Sequence, residues 1–181
     1  MHLPAQTSRI LDLGCVGSSL TGIASRFGHQ VTAVDLNDIE YEMPGVTFHK
    51  GDICELKFDK KFDVIMNCSM IEHVGIINRY GSTERNNGDL SVMKKLKSMI
   101  SRDGKMILTI PVGLDSIYPP FHRIYGDERL PQLLSGYIVL QQEFWAKQTT
   151  RWRECTAERA LSTEGSTHYY SLGLFVLAPL N

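Results

Sequence analysis

The chain has 181 residues, 43% of them hydrophobic, which suits a single compact domain over residues 1–181 with a buried core. A formal net charge of −1 without a basic block argues against a nucleic-acid partner, and no run of about 18 apolar residues is present to cross a membrane. The four cysteines, Cys15, Cys54, Cys68 and Cys155, show no C-x-x-C spacing and the N-terminus no signal-peptide pattern, so reduced thiols in the cytoplasm are expected rather than a zinc site or a disulfide framework.

Arg9–Leu13 reads as a short strand with little before it. Ser18 or Ser19 is placed to cap a helix running to about Phe27, with Leu20, Ile23, Ala24 and Phe27 on one face and Gly28 closing it. Strands follow at Val31–Val34, Val46–His49 and Phe62–Asn67, and residues 75–88 are a polar loop. Asp89 is placed to cap a helix through about Ile100, and Arg102-Asp103-Gly104 reads as a tight turn into a strand at Lys105–Ile110. Residues 111–120 form a loop, Asp127–Leu134 a short helix, and Tyr137–Trp145 and Tyr170–Leu177 the last strands. The polar stretch 146–169 between them is partly helical around Ala157–Leu161. Alternating strands and helices predict a parallel sheet with helices on both faces, and the last two strands are expected as an antiparallel pair at one edge.

The segments Ile10-Leu-Asp-Leu-Gly-Cys-Val-Gly-Ser and Val31-Thr-Ala-Val-Asp-Leu carry the functional signal. The first strand turns through Gly14 and Gly17 into a helix, and the second stops at Asp35, 23 residues after Asp12. Glycines admit a ligand close to the backbone, and a carboxylate at the next strand tip can accept from two ribose hydroxyls. Gly51-Asp52 adds a carboxylate after the third strand. Asp12 before the glycines would repel a pyrophosphate and suit a cationic amino-acid head, which favours S-adenosyl-L-methionine over NAD.

On these residues the chain resembles the class I S-adenosylmethionine-dependent methyltransferases from Ile10 to Val176. Their first loop reads roughly D-x-G-x-G-x-G; here it is Asp12-Leu13-Gly14-Cys15-Val16-Gly17-Ser18. The segment Asn67-Cys-Ser-Met-Ile-Glu72-His73-Val74 resembles the stretch after the family's fourth strand, and Ile-Glu-His-Val-Gly followed by Arg79-Tyr80-Gly81 resembles a branch that tailors sugars or secondary metabolites. The resemblance implies a Rossmann-like, seven-stranded, mostly parallel α/β sheet with the last strand antiparallel and a short N-terminal cap. It places Asp12 and Gly14 (with Gly17 and Asn67 alongside) near the methionine moiety, Asp35 on the ribose, Leu36 on the adenine, and Asp52 and Ile53 at the adenine edge.

Methyl transfer aligns an acceptor and often removes a proton from it. His73, Glu72 and His122 are the candidate catalytic residues, because histidine titrates near neutrality. Tyr80, Arg123 and Tyr125 are the candidate acceptor-binding residues. Glu72 and His73 alone do not make a metal site. Trp145, Trp152 and the Tyr169-Tyr170 pair read as core or edge packing. With little chain ahead of Arg9 to form a lid, the 75–88 and 111–125 loops or a second subunit are expected to close the site, so a homodimer is an expectation. The expected acceptor is a small molecule methylated on oxygen or nitrogen. The rivals are a non-enzymatic cofactor-binding protein and an NAD(P)-binding oxidoreductase.

Overall fold

The computed structural model describes residues 6–40, 42–77 and 84–180. Its centre is an eight-stranded sheet built from β1 (Arg9–Leu13), β2 (Gln30–Asp35), β3 (Val46–Lys50), β4 (Phe62–Cys68), β5 (Ile100–Val112), β8 (Tyr137–Gln148), β9 (Arg151–Cys155) and β10 (Ser171–Pro179). The spatial order is β3-β2-β1-β4-β5-β10-β8-β9. The pairs among β1 to β5 are parallel, and β10 runs antiparallel to both of its neighbours. This is the expected Rossmann-like architecture with two differences. The β10–β8 pair is antiparallel as expected, with β10 between β5 and β8, but does not stand at the edge, because β9 lies outside β8. The polar stretch after β8 contributes an eighth strand, β9, which forms a hairpin with Phe144–Gln148.

Side-chain parity along the strands divides the core. Leu11, Leu13, Ile65, Met106, Leu108 and Ile110 face one side, where they meet α2 (Gly88–Met99) through Val92, Met93 and Leu96, α3 (Arg129–Leu133) through Leu130 and Leu133, and α4 (Ala157–Leu161) through Ala160. Ile10, Val31, Val64 and Met66 face the other side, against Ala24 and Leu20 of α1 (Leu20–Arg26). A strand covered on both faces is apolar at successive positions, which is why β1 and β4 read as continuous runs. Among the described residues, the β2-to-β3 and β3-to-β4 crossovers carry no helix.

Other local readings change for identifiable reasons. The 111–120 loop contains β6 (Ser116–Tyr118), which forms a separate two-stranded ribbon with β7 (His122–Ile124). Residues 101–104 do not turn; they belong to β5, and an irregularity opposite Phe62 and Val64 absorbs the mismatch. Asn87, not Asp89, is the N-cap of α2; the Asp89 carboxylate is instead buried among two arginines and a tyrosine. Gly28 does close α1, with a left-handed φ of +83°.

Candidate active site

The parallel strands deliver their carboxyl ends to one edge, where an open α/β sheet binds ligands. A cleft of about 230 Å³ lies there, lined by Gly14 and Val16 after β1, Asp35 and Leu36 after β2, Asp52 and Ile53 after β3, and Met70 and His73 after β4. At Gly14 the chain adopts a φ of +69°, and an added Cβ would lie 2.8 Å from Met70 Cγ, so the glycine permits both the turn and the close approach of the two loops.

The two cleft carboxylates are held alike. Asp35 Oδ1 accepts from the Asn37 amide at 2.8 Å, and Asp52 Oδ1 accepts from the Cys54 amide at 2.8 Å; each is a side-chain-to-backbone turn two residues on. The second oxygen of each reaches across the cleft wall. Asp35 Oδ2 accepts from the Val16 amide at 2.9 Å, which ties the glycine loop to the tip of β2. Asp52 Oδ2 lies 3.4 Å from the Arg85 guanidinium, which also contacts Glu55 at 2.6 Å. Each carboxylate oxygen carries two lone-pair sites; the Asn37 side-chain amide also donates to Asp35 Oδ1 at 3.2 Å, so Asp35 keeps one acceptor site, on Oδ2, and Asp52 keeps acceptor capacity as well.

His73 sits on a 3₁₀ turn at Ile71–His73. Its Nδ1 lies 2.6 Å from the Phe121 carbonyl. A carbonyl only accepts, so Nδ1 carries the hydrogen and Nε2 holds the free electron pair in the neutral ring. Glu72, 2% exposed, places Oε1 3.8 Å from that Nε2. A proton taken up at Nε2 is therefore held opposite a buried carboxylate.

Several expected site residues lie elsewhere. Asp12 is 1% exposed and does not line the cleft; its Oδ2 accepts from the Thr21 hydroxyl at 2.6 Å, and burial pushes its carboxyl up to about 6. Gly17 and Asn67 also lie off the cleft lining; the Asn67 amide is fully buried, with Nδ2 3.8 Å from Met93 Sδ. Arg123 does not face an acceptor: its guanidinium donates to the Val74 carbonyl at 2.6 Å and stands 3.7 Å from Asp89, clamping the 3₁₀ turn from behind. The Tyr125 hydroxyl donates to the same carboxylate at 3.1 Å in the core, and burial holds its phenol well above the ordinary tyrosine range. Arg129 completes this network with a 2.6 Å ion pair to Asp89. His122 is buried between Tyr118 and Tyr170. The expected role of Tyr80 lies outside the described residues.

Two residues that sequence reasoning passed over shape the cleft. Arg85 closes the cleft wall beside Asp52. Lys95 of α2 donates Nζ to the carbonyls of Ile53, at 2.8 Å, Cys54, at 3.1 Å, and Leu56, at 2.5 Å, and so fixes the loop that carries Asp52. Neither has a sequence signal, since a helix lysine and a loop arginine are ordinarily solvated. The Asx turns at Asp35 and Asp52 did have one, in the short acidic residue at the end of β2 and just past the end of β3. Among the described residues no group of three His, Cys, Asp or Glu side chains is placed to hold a metal ion, and no helix is long and apolar enough to cross a membrane.

Sheet order and the carboxyl-edge cleft match one fold, that of the S-adenosylmethionine-dependent methyltransferases. The 1,6-didemethyltoxoflavin-N1-methyltransferase of Burkholderia thailandensis, crystallised with S-adenosylhomocysteine, superimposes with a TM-score of 0.59 at 15% identity, over 96% of this chain and 72% of that one. The N-methyltransferase NodS of Bradyrhizobium japonicum gives 0.61 at 12% identity, over 97% and 80%. A sequence relative, the ubiquinone biosynthesis O-methyltransferase of Bartonella quintana (strain Toulouse), is 32% identical over 88 residues, a stretch covering 43% of this chain and 36% of that protein. Residues 30–173 match the family model described as "Caenorhabditis protein of unknown function, DUF268". The chain belongs to that family.

Proposed function

We propose that this protein is an S-adenosylmethionine-dependent methyltransferase that modifies a small molecule on oxygen or nitrogen. The observation that carries the reading is the pair of turn-anchored carboxylates, Asp35 and Asp52, flanking the apolar Leu36 and Ile53 at the carboxyl edge of the sheet. That donor set suits a nucleoside: hydroxyl acceptors at one tip, an amino-group acceptor at the other, and apolar surface between for a flat base. Asp35 would hold the ribose and Asp52 the adenine amine, with Gly14 and Met70 beside the methionine portion.

When bound, the cofactor would supply a methyl group carried on a sulfonium, open to displacement by an acceptor lone pair with sulfur keeping the bonding electrons. The chain's own residues position and deprotonate. His73 accepts the acceptor's proton at Nε2, Phe121 fixes the ring through Nδ1, and Glu72 stabilises the resulting imidazolium. Arg123 and the Asp89 network hold the turn that carries the histidine. A reducing cytoplasmic setting, a single domain and a homodimer that completes the open cleft belong to the same reading.

Thermal denaturation with ligand tests the proposal. With a micromolar dissociation constant, 1 mM S-adenosylhomocysteine adds about 4 kcal/mol to the folded state and raises Tm by roughly 10 °C, whereas NAD at the same concentration leaves it unchanged. Equal shifts with NAD would favour the oxidoreductase.

A further inference from the structure

His73 lines the cleft, and a row of aromatic rings follows the Phe121 carbonyl that holds it. Phe121, whose carbonyl holds His73, precedes His122, and the His122 ring meets Tyr170 edge to face with centroids 5.2 Å apart. Tyr170 in turn faces Trp152, 6.1 Å away and tilted by 41°. Strand register places this group on the functional edge. Ser171 pairs with Val112 at the carboxyl end of β5, so Tyr170 stands just past that end. Beyond Trp145, β8 outruns β10 and pairs only with β9, so the hairpin carries Trp152 over the same edge. Burial foremost, and the Glu72 charge after it, push the Tyr170 phenol upward.

Trp152 is the anomaly. It is 41% exposed on an outer strand whose neighbouring side chains, Arg151, Arg153 and Glu154, are the charges that keep an outer strand from pairing further. A packing tryptophan would be covered, and a protective one would be replaced by a charge. Tryptophan and tyrosine present large, stiff surfaces for stacking on flat ligands.

Resting on the methyltransferase reading, we propose that Trp152 and Tyr170 form the platform for a planar aromatic acceptor, which stacks there with its hydroxyl or amino group directed to His73. The hairpin that sequence reasoning left as a polar stretch is then the element that selects the substrate.

Calorimetry tests this with protein saturated by S-adenosylhomocysteine. The probes are 2-naphthol, 4-methylcatechol and tryptamine, with the saturated decahydro-2-naphthol as comparison. At least one planar probe is expected to bind about tenfold more tightly than the saturated one. Trp152→Ala should weaken that binding about tenfold, and Trp152→Phe should restore most of it, with S-adenosylhomocysteine affinity the same in all three proteins. Equal binding of planar and saturated probes, no binding of any planar probe, or an unaltered Trp152→Ala overturns the platform. If wild type fails to bind S-adenosylhomocysteine, the methyltransferase reading fails and the platform falls with it; if it binds and the planar probes do not, only the platform fails.

Discussion

Asp35 anchors the glycine loop through Val16 and accepts twice from Asn37, and in the proposed function its remaining lone pair would receive a ribose hydroxyl. Asp35→Ala should weaken S-adenosylhomocysteine binding by about 1–3 kcal/mol, roughly 5- to 150-fold by calorimetry; an unchanged affinity removes it from the site. His73→Ala should lower turnover by about 10²–10⁴ with little change in cofactor affinity once an acceptor is in hand. Asp12 behaves differently. Its folded carboxyl titrates near 6 against 3.8 when unfolded, chiefly through burial, so the folded state holds the proton more tightly. Stability from this group is therefore greatest below pH 4 and falls as pH rises to 6. Asp12→Asn mimics the neutral form and should gain on wild type across that window, by up to about 3 kcal/mol, with a constant difference above pH 7 in urea denaturation. A gap independent of pH would show that folding leaves the Asp12 carboxyl unshifted. The carboxylates at strand tips were legible because each follows an apolar run; the burial of Asp12 under Thr21 was not, because depth is decided by how α1 folds back over β1.

At the scale of elements, the loop after β3 is organised by a lysine from another part of the chain. Lys95→Met removes three donors from the carbonyls of Ile53, Cys54 and Leu56. It should cost about 1–3 kcal/mol of stability and loosen cofactor binding several-fold, because Asp52 rides on that loop. Unchanged binding would show that the turn at Asp52 and Cys54 holds alone. The contact joins residues about forty apart, and no local pattern announces it. The same holds for Arg123 and Tyr125, which looked like acceptor ligands because they follow the fifth strand. The β6–β7 ribbon turns them inward to the buried Asp89. The hairpin strand β9 escaped notice because its charged, exposed residues lack the apolar alternation that marks a half-buried strand.

Across the whole molecule, the alternation of apolar strands and helices was enough to foresee a mostly parallel sheet, since each inner strand carries apolar residues for both faces. The insertion of β10 between β5 and β8 was not foreseeable from periodicity, which is silent on strand order. The layered core predicts a gradient of protection in amide hydrogen exchange: slowest in β1, β4 and β5, which have strands on both sides, and fastest in β9, which is paired on one side only. Protection in β9 equal to that in β4 would mean that something covers the outer hairpin.

Whether the carboxyl-edge cleft is a nucleoside site for the methyl donor is decided by calorimetric titration of the purified protein with S-adenosylhomocysteine, with NAD as comparison. Micromolar, one-to-one binding of S-adenosylhomocysteine that weakens roughly 5- to 150-fold with Asp35→Ala, and no binding of NAD, is the predicted result. Binding of NAD in its place, or of neither ligand, would contradict it.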